Sequence, residues 1–266
     1  MSRSSQLKIA LIQADLFWKE KTANFSMFEE KIWEIGQKVD LIVLPEMFPT
    51  GFSMDVEELA EPMNLTVCKW MQQQAAQTGA VITGSAIIKE NQQFFNRLLW
   101  VEPRGKIEFY DKRHLFRMAQ EDEHFGPGTR LPVFELKGWR ILPQVCYDLR
   151  FPVWSRNSHV DGQMAYDLVF YVASWPAARV SAWDALLPAR AIENLAYCIG
   201  VNRVGVDGNE VRYCGHSGVY DFKGNRLLNL GEQEITKVIS LDGEALLDYR
   251  QKFPAWMDSD QFSIDL

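Results

Sequence analysis

An apolar segment, an amphipathic segment and a second apolar segment open the chain, and this order constrains the fold more than any other feature. Residues 7–14, LKIALIQA, are short, apolar and rich in β-branched side chains, which is typical of a buried strand. Residues 22–39 repeat apolar side chains at helical intervals, and residues 40–46, DLIVLPE, resemble a second buried strand. A β–α–β unit of this kind builds a sheet that is covered by helices.

Further strands and helices are predicted along the first half of the chain. Residues 66–79 predict a helix that ends at Gly79 in a left-handed cap, and residues 80–88 predict the strand that follows. Turn signals between apolar runs predict two hairpins, one over residues 94–112 and one over residues 132–148. The segment between these hairpins is rich in Asp, Glu, Gly and Pro, so a loop is expected there.

The second half of the chain repeats the same alternation. Residues 165–174 predict a buried strand, residues 181–197 a helix with a kink at Pro188, and residues 198–205 another strand. Two β-rich halves, each with helices, indicate a two-sheet sandwich with helices outside. A single open sheet is the alternative that the pattern allows.

Length and charge narrow the class of protein. The 266 residues suit one large α/β domain over 1–266, and the net charge of −7 argues against a partner such as nucleic acid.

The sequence has neither a secretory signal pattern nor an apolar run that could cross a bilayer, so a cytoplasmic protein without a membrane partner is expected. Residues 245–266 have no clear period and carry Phe253, Trp256 and Phe262 among other apolar side chains, which suggests a tail docked at a dimer interface.

Three reactive residues follow apolar strands at the same local position. Glu46 follows DLIVLP, Lys112 follows KIEFYD, and Cys146 follows WRILPQV. The carboxyl ends of strands border the functional crevice in α/β proteins, so these side chains are expected to converge. Taken singly, each has an ordinary explanation as a surface charge or a buried filler residue.

A thiol nucleophile needs a base, and this chain is poor in the usual one. Its histidines, none of which lies on a recognisable catalytic motif, are His114, His124, His159 and His216. Glu46 is therefore the candidate base, and the ammonium of Lys112 would stabilise a thiolate and later an oxyanion. The backbone N–H of Tyr147 would complete the oxyanion hole.

The segments LIVLPEMF, KIEFYDKRHLF and PQVCYDLRFP resemble, in this order, the Glu, Lys and Cys motifs of the nitrilase superfamily. The resemblance extends from LKIALIQAD to GHSGVYDFKG, nearly the whole chain. It implies that Glu46 is the general base, Lys112 the oxyanion-stabilising residue and Cys146 the nucleophile. The superfamily's second active-site glutamate precedes a Pro-Gly pair, which leaves Glu121 and Glu123, and counting back from that pair favours Glu121.

The resemblance also implies an α/β fold, the four-layer α-β-β-α sandwich of the nitrilase type, commonly paired as a homodimer. It implies neither a metal nor an organic cofactor. Independently, the sequence contains no HExxH, no paired CxxC and no phosphate-cradling glycine loop. GHSGV around Ser217 does not match the GxSxG nucleophile motif either, which disfavours a serine hydrolase.

Within the superfamily, CYDLRFP and residues 173–205 look most similar to bacterial omega-amidases. The resemblance implies hydrolysis of the terminal amide of a 2-oxo dicarboxylic acid monoamide, such as 2-oxoglutaramate or 2-oxosuccinamate. The carboxylate of such a small-molecule substrate requires a cation, for which Arg150, Arg179 and Arg117 are candidates. An ion pair with a neighbouring aspartate is the alternative role of Arg150. Phe116 and Trp175 are candidates for an apolar pocket wall, or for plain packing.

Three other functions stay open at this point. The same triad serves aliphatic amidases and carbamoylases within the superfamily. The sandwich could also be a non-catalytic binding module. A redox protein would instead pair Cys146 with one of the other cysteines, which are Cys68, Cys198 and Cys214.

Overall fold

The computed structural model of the chain describes residues 4–160, 163–260 and 262–264. The strands are β1 (Gln6–Gln13), β2 (Leu41–Val43), β3 (Val81–Glu90), β4 (Gln93–Val101), β5 (Ile107–Asp111), β6 (Phe134–Leu136), β7 (Trp139–Val145), β8 (His159–Val160), β9 (Gln163–Met164), β10 (Leu168–Ala173), β11 (Tyr197–Asn202), β12 (Val204–Val206), β13 (Arg212–Cys214), β14 (Gly218–Tyr220), β15 (Arg226–Asn229) and β16 (Ile235–Asp242). The α-helices are α1 (Lys21–Trp33), α2 (Val56–Leu59), α3 (Thr66–Thr78), α4 (Glu121–His124), α5 (Val180–Asn194) and α6 (Gly243–Lys252).

Two six-stranded sheets form the centre of the fold. The first has the order β16-β1-β2-β3-β4-β5, and the second has the order β15-β14-β11-β10-β7-β6. In each sheet three adjacent strands are parallel, namely β1, β2 and β3 in the first and β7, β10 and β11 in the second. The carboxyl ends of these parallel strands therefore lie along one edge of each sheet.

Alternation along the strands divides the apolar side chains between two layers of core. In β1, Leu7, Ile9 and Leu11 join the large cluster that also contains the strands of the second sheet, whereas Ala10 and Ile12 pack with α1 and α3. The period of two in a strand explains this division, because successive side chains point to opposite faces.

The second sheet is covered on its other face by α5. Trp183 and Leu187 of this helix pack so closely on β11 that a Cβ atom at Gly200 would lie 2.5 Å from Trp183 and 2.6 Å from Leu187. Helices thus cover the outer face of both sheets. The four-layer α-β-β-α sandwich is confirmed, and the open single sheet is excluded.

Most of the predicted elements are found, with some differences in length. Both predicted hairpins form, as β4–β5 and β6–β7, and α3 ends at Gly79 with a φ of 68°. The first helix is shorter than the 22–39 pattern, because it ends at Trp33 and Gly36 adopts a φ of 62° soon afterwards. Pro188 lies within α5, and the helix continues beyond it to Asn194.

Two segments differ from the sequence-based expectation. The loop expected before residue 130 contains a 3-10 turn, Arg117–Ala119, and the short helix α4. The tail expected over 245–266 begins inside α6, whose fully buried Leu246 packs on the body of the domain. Arg250 of the same helix donates to Asp167 at 2.7 Å, so this part of the tail is anchored to its own chain. No helix in the described parts of the chain is both long and apolar enough to cross a membrane.

Candidate active site

The three motif residues converge at the carboxyl edge of the sandwich. Glu46 follows β2 and Lys112 follows β5, both in the first sheet, whereas Cys146 follows β7 in the second. Their exposed fractions are 0%, 1% and 8% respectively. Face-to-face packing of the two sheets therefore brings together side chains that are up to 100 residues apart in sequence. The positions of these residues after strands led us to expect this convergence.

Lys112 lies between two buried carboxylates. Its Nζ atom donates to Glu46 Oε1 at 2.9 Å, and to Glu121 Oε1 and Oε2 at 2.9 and 2.8 Å. Burial by itself lowers the pKa of the ammonium, but the charges of Glu121 and Glu46 outweigh burial and raise the pKa of Lys112 well above its ordinary value. Lys112 therefore stays positively charged across the working pH range of an enzyme.

The structure distinguishes the two candidate second glutamates. Glu121 is fully buried and accepts the backbone N–H of Phe116 at 2.6 Å, whereas Glu123 is exposed. Both belong to the short helix α4, in which residues two apart point to different sides. Burial raises the pKa of Glu121, the Lys112 ammonium opposes that rise, and the Glu46 carboxylate adds to it.

Cys146 occupies an unusual backbone position at the start of a 3-10 turn, Cys146–Arg150. Its φ of +44° lies in the left-handed region, which costs free energy for a residue with a Cβ atom and is typical of functional sites. Burial and the adjacent Glu46 charge raise the pKa of the thiol well above its ordinary value, while the Lys112 charge acts in the opposite direction. The raised pKa means that Cys146 is a thiol at neutral pH, with the Glu46 charge disfavouring its ionisation.

Two residues that the sequence analysis missed complete the cluster. The Nδ2 atom of Asn96, on β4, donates to Glu46 Oε1 at 2.8 Å and to Glu121 Oε1 at 3.1 Å. The backbone N–H of Ser174, just after β10, donates to Glu46 Oε2 at 2.8 Å. An asparagine inside the apolar run FFNRLLW was a usable signal, because a buried polar side chain is informative. Nothing in the sequence marks the backbone donor.

A cavity of about 530 Å³ opens above this cluster, and its size is typical of small-molecule sites. Cys146 and Lys112 line it. All five residues predicted to bind substrate also line it, namely Phe116, Tyr147, Arg150, Trp175 and Arg179. A wider groove of about 820 Å³ lies between α1 and α3, but none of these residues contributes to it.

Two guanidinium groups line the cavity, each stacked on an aromatic ring. The guanidinium carbon of Arg150 lies 4.9 Å from the Trp175 ring centroid, and that of Arg179 lies 5.1 Å from the Phe116 ring. Among the described residues, neither arginine has a carboxylate within ion-pair distance. Asp148, the expected alternative partner of Arg150, pairs instead with other residues. Stacked guanidiniums keep their N–H edges available for a planar anion.

Arg117 does not take the predicted part in the site. Its side chain is 85% exposed, pairs with Asp122 at 3.0 Å, and contributes nothing to the lining of the cavity. Adjacent residues in a turn point in different directions, so Phe116 faces the cavity and Arg117 faces solvent.

Other chemistries find little support in the described residues. All four cysteines there are free thiols, and Cys68, Cys198 and Cys214 are buried. In the part of the chain that the structure describes, no group of three or more His, Cys, Asp or Glu side chains is arranged to hold a metal ion.

Comparison with known proteins agrees with this geometry. The profile of the carbon-nitrogen hydrolase family matches residues 8–248. Omega-amidase YafV of Escherichia coli (strain K12) is 47% identical over 259 residues, which cover 97% of this chain and 98% of that protein. The 2-oxoglutaramate amidase of Bacillus subtilis (strain 168) is 29% identical over 253 residues, with 94% and 96% covered.

A solved structure shares the whole architecture. It is a CN-hydrolase superfamily protein from Xanthomonas campestris with an arsenic adduct in its active site. It is 43% identical to this chain, covers 98% of it and 100% of its own length, and aligns with a TM-score of 0.96. The chain belongs to the carbon-nitrogen hydrolase family, and it is an enzyme similar to the omega-amidases of that family.

Proposed function

We propose that this enzyme hydrolyses the terminal amide of a small 2-oxo dicarboxylic acid monoamide, 2-oxoglutaramate or 2-oxosuccinamate, to the dicarboxylate and ammonia. The observation that carries the proposal is the buried cluster of Cys146, Glu46 and Lys112, of which Cys146 and Lys112 line a cavity that is also lined by two arginines. The names of the two curated relatives, omega-amidase and 2-oxoglutaramate amidase, support the same substrate class.

The first step forms a thioester. Glu46 accepts the proton of the Cys146 thiol as the sulfur bonds to the amide carbonyl carbon, and the electron pair of the C=O bond moves to oxygen. The backbone N–H of Tyr147 and the Lys112 ammonium stabilise this oxyanion. The C–N bond then breaks as Glu46 returns the proton to nitrogen, and ammonia leaves.

Water completes the cycle. Glu46 takes a proton from water as its oxygen bonds to the thioester carbon, and a second oxyanion forms in the same place. When the C–S bond breaks, the sulfur recovers the proton from Glu46. One residue thus serves as base and acid in both halves, which suits a carboxylate whose charge already acts on the thiol.

The geometry of Lys112 fits the oxyanion role. An ammonium donates three hydrogens, and two of its three short contacts go to the oxygens of one residue, Glu121. One of these contacts can turn to the oxyanion while the other continues to hold the lysine. Glu121 then anchors Lys112 and leaves Glu46 to exchange protons.

The arginines account for the carboxylate of the substrate. Arg150 and Arg179 both line the cavity, and each ring that they contact, Trp175 and Phe116, restricts the guanidinium without blocking its N–H edge. A bidentate contact with the substrate carboxylate would select acidic amides over neutral ones.

Ammonia release from a substrate panel tests the proposal. The panel holds 2-oxoglutaramate, 2-oxosuccinamate, glutamine, asparagine, simple aliphatic amides, carbamoyl amino acids and nitriles. We expect the highest kcat/KM for the two oxo acid amides. Faster turnover of neutral amides would indicate an aliphatic amidase, and faster turnover of carbamoyl amino acids a carbamoylase. Absence of any ammonia would overturn the proposal in favour of a binding or redox role, and a peroxide-induced disulfide of Cys146 would identify the latter.

A further inference from the structure

A single buried carboxylate connects the segment that carries Lys112 to the segment that carries Cys146. Asp148, two residues after Cys146, is fully buried. Its Oδ2 atom accepts the Tyr110 hydroxyl at 2.8 Å, and its Oδ1 atom accepts the backbone N–H of His114 at 2.9 Å. The Nδ1 atom of His114 lies 2.8 Å from the same Oδ1 and donates to it, because a carboxylate only accepts.

The two partners of Asp148 lie on both sides of Lys112. Tyr110 precedes the lysine by two residues and His114 follows it by two, so the carboxylate holds the Tyr110 side chain on one flank and the His114 backbone and ring on the other. The Tyr110 hydroxyl is itself fixed by the indole N–H of Trp154 at 2.9 Å. Lys112 follows a strand of the first sheet and Asp148 lies in the turn that follows a strand of the second, so these hydrogen bonds connect the two sheets.

Asp148 also fixes the backbone at the nucleophile. Its Oδ2 atom accepts the backbone N–H of Val145 at 3.1 Å, directly before the left-handed residue Cys146. A residue held at positive φ persists only where its surroundings determine its conformation. The His114 ring has little freedom either, because it stacks on Phe151 with centroids 3.8 Å apart and planes 7° apart.

We propose that Asp148 and His114 are positioning residues that set the distance between the Lys112 ammonium and the Cys146 sulfur. Neither lines the cavity, so neither touches the substrate. Their effect on the reaction, which rests on the proposed function, arises through the two segments that they join. Loss of the His114 contact lets the lysine segment move relative to the thiol, and a displacement of about 1 Å can lower a rate by about 100-fold.

Four variants test this role. Asp148→Asn removes acceptor capacity, and His114→Ala removes the ring donor while its backbone N–H remains. His114→Asn restores a donor close to the position of Nδ1. Asp184→Asn is the control, because Asp184 forms another His–Asp contact, with the half-buried His216 at 3.0 Å, outside the segments of Lys112 and Cys146. Each variant is assayed for kcat and KM, for thermal unfolding, and for the rate at which iodoacetamide alkylates Cys146.

We expect His114→Ala and Asp148→Asn to lower kcat by about 10- to 100-fold with KM changed by less than about 3-fold. Alkylation of Cys146 at a given pH should slow, because a more distant Lys112 stabilises the thiolate less. His114→Asn should recover most of both rates, and Asp184→Asn should behave as the unchanged enzyme.

A purely structural role predicts a different result. In that case the His114→Ala substitution would lower the unfolding temperature, but the folded variant would keep the kcat and the alkylation rate of the wild type. That result would overturn the proposal. Failure of His114→Asn to restore either rate would overturn it as well. These outcomes can be distinguished from a failure of the proposed function, because alkylation of Cys146 is measured without an amide substrate. A wild-type enzyme that releases no ammonia would overturn only the proposed function.

Discussion

The carboxylate of Glu46 accepts the backbone N–H of Ser174 at 2.8 Å, although Glu46 follows a strand of the first sheet and Ser174 follows a strand of the second. The hydroxyl of Ser174 donates to the backbone carbonyl of Glu46 at 3.3 Å, which makes a second link. Glu46, the proposed base, is therefore oriented by the sheet that carries Cys146, the proposed nucleophile. The candidate site exists only where the two sheets meet.

Removing the thiol should abolish the reaction without unfolding the protein. We expect Cys146→Ala to lower kcat by at least about 1000-fold, because it removes the sulfur that forms the proposed thioester. The change removes one small side chain at the wall of a cavity, so the unfolding temperature should stay nearly constant. Cys214→Ala, at a second buried thiol, is the control. Ammonia release by Cys146→Ala at more than a tenth of the wild-type rate would exclude the nucleophile assignment.

Glu46→Gln should affect alkylation and turnover in opposite directions. Burial and the Glu46 charge raise the pKa of Cys146, so wild-type alkylation by iodoacetamide should keep rising beyond about pH 8.5, the ordinary thiol pKa. Removing that charge lowers the pKa of the thiol and speeds alkylation at about pH 8. Turnover should nevertheless fall by about 100-fold or more, since the base is lost.

The two rates of Glu46→Gln are measured on the same preparation. Iodoacetamide labelling is located by mass spectrometry, and ammonia release is followed in parallel. If alkylation slows together with turnover, Glu46 acts on the thiol by orienting it rather than by its charge.

The arginines should control substrate choice. We expect Arg150→Gln and Arg179→Gln each to raise KM for 2-oxoglutaramate by about 10- to 100-fold, the equivalent of one lost charged hydrogen bond. Turnover of a neutral aliphatic amide should change little, because it lacks the carboxylate. Arg117→Gln, at a neighbouring exposed arginine, is the control. If only one of the two cavity variants raises KM, that arginine alone binds the carboxylate.

Asn96→Asp should destabilise the folded enzyme. It removes the donor shared by Glu46 and Glu121 and adds a third carboxylate beside a single ammonium. We expect a loss of about 3 kcal/mol or more in urea unfolding at neutral pH. The new carboxyl has a raised pKa in the folded state, so the loss should shrink as pH falls and this group takes up a proton.

The same substitution at an exposed position is the control for Asn96. Asn91→Asp, in the turn that precedes β4, should leave both stability and turnover unchanged. An Asn96→Asp enzyme as stable as the wild type at every pH would show that the buried cluster tolerates another carboxylate.

We predict that the C-terminal segment mediates a homodimer. Phe253, Met257 and Phe262 are 53%, 65% and 50% exposed, which is unfavourable for apolar side chains in water. The double variant Phe253→Ser and Met257→Ser should shift a dimer to a monomer in sedimentation velocity. Phe17→Ser, at an aromatic residue that is also 53% exposed, should stay dimeric. A wild-type monomer, or a double variant that stays dimeric, would contradict the prediction.

Local pattern was sufficient for most of the strands and helices around the candidate site, and it selected three residues that the fold brings together. Periodicity located the strands that end near Glu46, Lys112 and Cys146, because side-chain alternation and burial are encoded residue by residue. The helix length at residues 22–39 was overestimated, since the apolar period continues past the point at which Gly36 turns the chain. Likewise, the start of the predicted tail forms α6, although the sequence there has no clear period. Its Leu246 is buried through tertiary packing, which the local pattern does not show.

The sequence by itself determined two β-rich halves with helices and placed a Glu, a Lys and a Cys at three strand ends. The tertiary structure chose the two-sheet sandwich over the single open sheet that this pattern also allowed. Only the tertiary structure decided how these groups are oriented. It selected Glu121 over Glu123 by burying one of them, added Asn96 and the Ser174 backbone as donors, and joined the lysine and cysteine segments through Asp148. The physical reason is that these hydrogen bonds join residues 25 to 128 positions apart and depend on how the chain packs in three dimensions, which no local pattern encodes.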